Sequence, residues 1–158
     1  NVKVERVIPV KTAVIPAKAA VIPAKAGIQI PAFAVMTEET AKDYFQKGLR
    51  SQADADNKKA IIYFNKAIEL DKKFTAAYNN LGIIYEQAGA PDKAEAAYLK
   101  AVEIDGNYLP AYSNLALFNE ERGDFIQALK YWRKRVLYGD PDDAWTKRAL
   151  QRIRDIEK

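Results

Sequence analysis

The sequence predicts an all-α fold: a superhelix of three antiparallel helix pairs closed by one capping helix, preceded by an extended, non-helical N-terminal arm. Three observations point there. Residues 75–108, TAAYNNLGIIYEQAGAPDKAEAAYLKAVEIDGNY, are matched in pattern by residues 41–74 and by residues 109–142, at a fixed offset of 34. Residues 143–158 open a fourth copy that stops halfway, leaving one helix to cap the stack. Residues 1–35 hold a different, seven-residue period punctuated by Pro9, Pro16 and Pro23, with a fainter echo at Pro31.

The arm comes first in the chain. VIPVKTA, VIPAKAA and VIPAKAG run consecutively from Val7 to Gly27. Each proline removes a backbone donor and pushes the preceding isoleucine to extended angles, which excludes a long helix or a central strand. The segment from Val21 to Gln29, VIPAKAGIQ, resembles a peptide encoded where dispersed bacterial genomic repeats are read through in frame. On that reading Met36 is an original start, the chain is bacterial, and cytoplasmic placement is expected. Export is the alternative, because Ala32-Phe33-Ala34 fits a small-x-small cleavage site, although lysines interrupt the apolar run that a signal needs. No apolar run approaches the roughly 18 residues of a membrane span.

From Thr37 onward the chain reads as helix, with Thr37 as N-cap and Glu38 and Glu39 in the first turn, where the helix dipole favours acids. A polar break over residues 53–57 leads to a second helix near Lys58 to Leu70, whose Ala60, Ile61, Phe64, Ala67 and Ile68 share a face. In the central unit Gly89 ends the first helix and Pro91 opens the second, where its missing N–H costs nothing. Gly123 and Asp124 mark the same corner in the third. Asp140 then reads as an N-cap with Pro141 in the first turn of the last helix, and Trp145, Ala149, Ile153 and Ile156 as its buried stripe.

Composition narrows the function. The 158 residues are about half apolar, enough for a core, and contain no cysteine and no histidine. That removes disulfides, thiolate and imidazole metal ligands, Cys–His nucleophiles and the usual general base near neutral pH. Adjacent acids such as Glu120 and Glu121 diverge around a helix, so they make no shared acid/base site. No catalytic residue, cofactor site or metal site is assigned, and the chain is read as non-enzymatic. The net charge of +4 sits in the arm, which holds five basic residues against Glu5. Residues 36–129 carry 11 basic and 15 acidic residues, whereas residues 130–158 carry nine and five.

Five sets of residues recur at the 34-residue offset: Tyr44, Tyr78, Tyr112; Gly48, Gly82, Ala116; Ala60, Ala94, Ala128; Phe64, Tyr98, Trp132; and Ala67, Ala101, with Arg135 breaking the last set. This pattern resembles the tetratricopeptide repeat. The small residues let paired helices approach, and the tyrosines read as core rather than as stacking platforms for nucleic acid. Arg135 is expected to reshape the junction with the last helix.

The resemblance implies that the first helix of each unit lines a concave surface across which a partner's peptide lies. By offset, that lining includes Lys42, Phe45, Gln46 and Leu49, then Ala76, Asn79, Asn80, Ile83 and Glu86. It continues through Ser113, Asn114, Leu117 and Glu120, and extends to Lys147, Arg148 and Gln151. Asn80 and Asn114 are candidates to pair with a peptide main chain, since an amide both donates and accepts; bracing neighbouring helices is the other use open to them. Similar units in co-chaperones hold acidic chaperone tails through lysine and asparagine clamps. Here Phe45 and Leu49 stand where the clamp needs those residues, so that specificity is not carried over.

The leading expectation is thus a module or scaffold that captures a peptide segment of another protein. The second is self-association, with a homo-oligomer as one outcome, through docking of the VIP arm in its own or a neighbour's groove, favoured by the high effective concentration of a tether. The third is attachment to an anionic membrane or nucleic acid through the basic arm and basic last helix; spaced single lysines make a thin patch, so nucleic acid is not the expected partner.

Overall fold

The computed structural model describes residues 39–158; the arm over residues 1–35 and the predicted cap Thr37 lie outside the described residues. Those residues form seven α-helices and no strand: α1 (Ala41–Ala53), α2 (Asn57–Leu70), α3 (Thr75–Gln87), α4 (Pro91–Ile104), α5 (Leu109–Glu121), α6 (Phe125–Tyr138) and α7 (Ala144–Ile156). They build an all-α repeat solenoid. Helices pair as α1 with α2, α3 with α4 and α5 with α6, α7 lies against α6, and α3 also touches α5.

Local chemistry sets the helix ends. The helix expected to start at Thr37 is capped instead by Thr40, whose hydroxyl accepts the Asp43 amide while the Asp43 carboxylate accepts the Thr40 amide. Asp56 and Asp124 cap α2 and α6 by accepting the amides of Lys59 and Gln127. Between paired helices the backbone turns through the left-handed region at Gly89 (φ 68°) and Gly123 (φ 75°). The first pair makes the same turn with Ala55 (φ 57°), the only described non-glycine residue at positive φ. Its Cβ makes that conformation costlier than it is for glycine.

The pairs close over small residues. A Cβ added to Gly48 would overlap the Phe64 ring, and one added to Gly82 would overlap the Tyr98 ring. These rings therefore fill space within their own pair. In the third pair Ala116 meets the fully buried Trp132. Three successive apolar clusters result. Phe64, Ala77, Leu81 and Ile84 centre the first, Tyr98, Leu115 and Phe118 the second, and Trp132 and Ala149 the third. Tyr44, Tyr78 and Tyr85 pack against the first, consistent with tyrosines as core residues.

The last junction departs from the sequence reading. Asp140 does not cap a helix; its carboxylate accepts the Asp142 amide at 2.8 Å and closes a turn that contains Pro141. Asp143 is the cap, accepting the amides of Trp145 and Thr146. Trp145, expected in the buried stripe, is 44% exposed, and Thr146 is buried instead. The cause is Arg135. Its buried guanidinium donates to the Thr146 hydroxyl at 2.9 Å and to the Asp143 carboxylate, while the Thr146 hydroxyl donates to Asp143 at 3.1 Å. A hydroxyl is needed at that point of α7, so the helix turns Thr146 inward. A Cβ on Gly139 would collide with both Arg135 and Thr146, so the chain passes there without a side chain. On the far face of α7, Leu150 stands at the offset occupied by Gly48, Gly82 and Ala116.

Candidate peptide-binding groove

The first helices of the pairs present α3 and α5 side by side, and two clefts open along them. One, of about 240 Å³, is lined by Ile83, Glu86, Asn114 and Leu117 together with Gln87, Tyr98 and Glu121. The other, of about 170 Å³, is lined by Leu109, Pro110, Ser113, Asn114, Arg135 and Trp145. Asn114 borders both.

Amides brace this face. Asn114 donates through Nδ2 to Asn79 Oδ1 at 2.9 Å, tying α5 to α3, and Asn79 is buried. Asn80 donates to the Ala76 carbonyl of its own helix at 2.8 Å, and Ser113 donates to the Leu109 carbonyl at 3.4 Å. Asn114 thus braces a neighbouring helix, and Asn80 its own. The Asn114 Oδ1 makes no hydrogen bond within the described residues.

The acids on this face behave differently along the stack. Glu86 accepts the Tyr98 hydroxyl at 2.8 Å; burial first, then that bond and the nearby Glu121 charge, hold the Tyr98 phenol well above its ordinary pKa. Glu120 accepts Trp132 Nε1 and also the Arg152 guanidinium through both carboxylate oxygens, at 3.1 and 3.2 Å from Nε. The hydrogen bond from Arg152 to Glu120 raises the Arg152 pKa. In the first pair the equivalent residues are Gln52 and Phe64, an amide opposite a ring with no donor. An acid thus occurs where the buried aromatic has an N–H or O–H to satisfy.

The remaining predicted residues lie apart from the two clefts. Phe45 packs its ring 5.5 Å from Phe64 and 4.9 Å from Phe74, and Leu49 joins the same cluster, so both are half-buried in the first core. Lys147 and Arg148 are exposed on α7: Lys147 Nζ lies 3.4 Å from Asp142, and Arg148 sits 4.9 Å above the Trp145 ring. Gln87, Tyr98, Glu121, Leu109, Pro110, Arg135 and Trp145 line the clefts although the sequence reading did not assign them to the groove. Gln87 and Glu121 share the 34-residue offset, which would have found them one place beyond Glu86 and Glu120.

Family models described as tetratricopeptide repeat match residues 44–74 and 75–108. Residues 44–108 are tetratricopeptide repeats. Solved structures share this fold. MamA aligns at 27% identity and TM-score 0.60 over 71% of this chain and 61% of its own, so the chain spans about three fifths of MamA. The Arabidopsis OM64 repeat domain aligns at 22% identity and TM-score 0.65, over 73% and 95% of the two chains. The first repeat domain of Spaghetti (RPAP3), bound to the HSP90 peptide SRMEEVD, aligns at 19% identity and TM-score 0.67, over 75% and 93%. No curated protein matches the sequence. Among the described residues no acidic cluster is placed to hold a metal ion, and no helix is long and apolar enough to cross a membrane.

Proposed function

We propose that this tetratricopeptide-repeat protein is a non-enzymatic interaction module that holds an extended peptide segment of another protein along α3 and α5. The observation that carries this reading is the pair of clefts that share Asn114. Ile83 and Leu117 offer apolar contact in one and Leu109, Pro110 and Trp145 in the other, while Asn114, common to both linings, offers its Oδ1 as an acceptor for a main-chain N–H. Phe45 and Leu49 support the groove from the first core, and Lys147 and Arg148 extend the exposed surface of α7 beyond it. Glu86, Ser113, Asn79 and Asn80 hold its walls in place. The HSP90 peptide bound by the Spaghetti domain gives a precedent for a peptide on this fold.

The test is selection from a displayed library of linear peptides with the full chain as bait, followed by binding to the Ile83→Ser/Leu117→Ser double variant. Selected peptides should lose at least about tenfold in affinity on the variant, whose fold is checked by circular dichroism. Undiminished binding would remove the groove from the function.

A further inference from the structure

The wider cleft has a chemistry of its own. Ile83 and Leu117 provide its apolar contact, Gln87 and Asn114 its amides, and Glu86 and Glu121 its charge; no lysine or arginine lines it. Neither carboxylate forms a salt bridge among the described residues, whereas the neighbouring Glu120 is neutralised by Arg152. Glu86 accepts only the neutral Tyr98 hydroxyl, which leaves its charge uncompensated, and Glu121 is exposed. The surrounding stretch, residues 36–129, carries the same excess of acid.

Taking the groove as the binding site, we propose that this cleft selects peptides bearing a lysine or arginine next to apolar residues. The aliphatic stem of such a side chain can lie along Ile83 and Leu117 while its cationic head reaches Glu86 and Glu121, satisfying both halves of an amphipathic side chain at once. An acidic residue placed there meets two like charges, and a purely apolar one leaves both carboxylates partly desolvated without a partner. Specificity is thereby opposite in sign to a clamp for acidic tails, in keeping with Phe45 and Leu49 standing at the clamp positions.

The experiment is an array of random peptides probed with the full chain, with Ile83→Ser/Leu117→Ser and with Glu86→Gln/Glu121→Gln. Glutamine retains an oxygen to accept the Tyr98 hydroxyl, so the second variant removes charge while keeping that bond. Bound peptides should be enriched in lysine or arginine beside apolar residues, should weaken about tenfold on the glutamine variant, and should weaken further with added salt. The peptide SRMEEVD, included as an acidic probe, should not bind measurably. Binding that depends on Ile83 and Leu117 but shows no basic preference, or is unchanged by the glutamine pair, overturns the charge selection and leaves the groove standing. Binding indifferent to Ile83 and Leu117 overturns both.

Discussion

The residue at one repeat position is buried in all three pairs, yet it joins successive units in two different ways. Ala67 and Ala101 let α2 and α4 pass their neighbours by apolar contact alone. Arg135, at the same position of α6, replaces that contact with a closed set of hydrogen bonds to Thr146 and Asp143. Apolar contact tolerates a small slip between units. A planar guanidinium that must meet a hydroxyl and a carboxylate at once does not, so the last helix is held in one rotation about its axis. The cost is that a buried charge depends on its partners, and removing them leaves it stranded.

Moving the arginine one unit back gives the harshest test of this contrast. Ala101→Arg would bury a guanidinium where the 34-residue offset supplies Leu109 and Tyr112 in place of a carboxylate and a threonine, and should cost about 3–5 kcal/mol in urea unfolding. A loss under about 1 kcal/mol would mean the junction opens easily to water. Next, Arg135→Ala, which turns the polar junction toward the apolar type, should lose about 2–3 kcal/mol, because its charged hydrogen bonds go and a void remains. Deuterium exchange should localise the loosening to α7.

Smaller effects separate the two kinds of acid. Glu120→Gln, which keeps an acceptor for Trp132 but discards the charge facing Arg152, should cost about 1 kcal/mol, discounted because Arg152 is partly exposed. Glu86→Gln should cost less than about 0.5 kcal/mol, since its partner is neutral. Equal losses would show that the Arg152 contact adds nothing. At the corner, Ala55→Gly should stabilise by about 0.5–1 kcal/mol through relief of the left-handed alanine, offset in part by glycine's freer unfolded chain.

Acid offers the mildest probe of the same junction. Burial works to raise the Asp143 pKa, but the Arg135 guanidinium, the amides of Trp145 and Thr146 and the Thr146 hydroxyl outweigh it and hold the carboxyl below its ordinary value. A folded pKa below the unfolded one stabilises at neutral pH, and that contribution fades as pH falls from the ordinary carboxylate range through the lowered value. Melting temperatures between neutral pH and acid should therefore fall less steeply for Asp143→Asn than for the native chain. Some slope should survive, because Asp43 and Asp56 are also held low, chiefly by side-chain bonds to Thr40 and Lys59. An unchanged slope would exclude Asp143 from the acid response.

Much of this was legible before any coordinates. The 34-residue offset names the helix pairs, the glycines at two corners and the aromatic rings that close each pair, because repeated local chemistry must leave a repeated pattern. Three features escaped it for identifiable reasons. Ala55 carries no turn signal of its own and is exposed as a corner only by its offset from Gly89 and Gly123. The bond from Asn114 to Asn79 spans 35 residues, one step out of register, so a search at 34 cannot pair them. Arg152, outside the stripe read as buried on the last helix, crosses to Glu120 from a helix whose rotation was not known.

By itself, then, the sequence determined the repeat, the pairing of helices and the small residues that admit the rings, since these follow from side-chain size and period along the chain. Tertiary structure alone decided which polar groups are consumed inside the stack: Glu120 is paired with Arg152 while Glu86 and Glu121 form no ion pair among the described residues, and Asn114 is braced through its nitrogen while its oxygen makes no hydrogen bond there. Hydrogen bonds and ion pairs between helices depend on axial rotation and separation, and those are fixed only when the apolar clusters close around them.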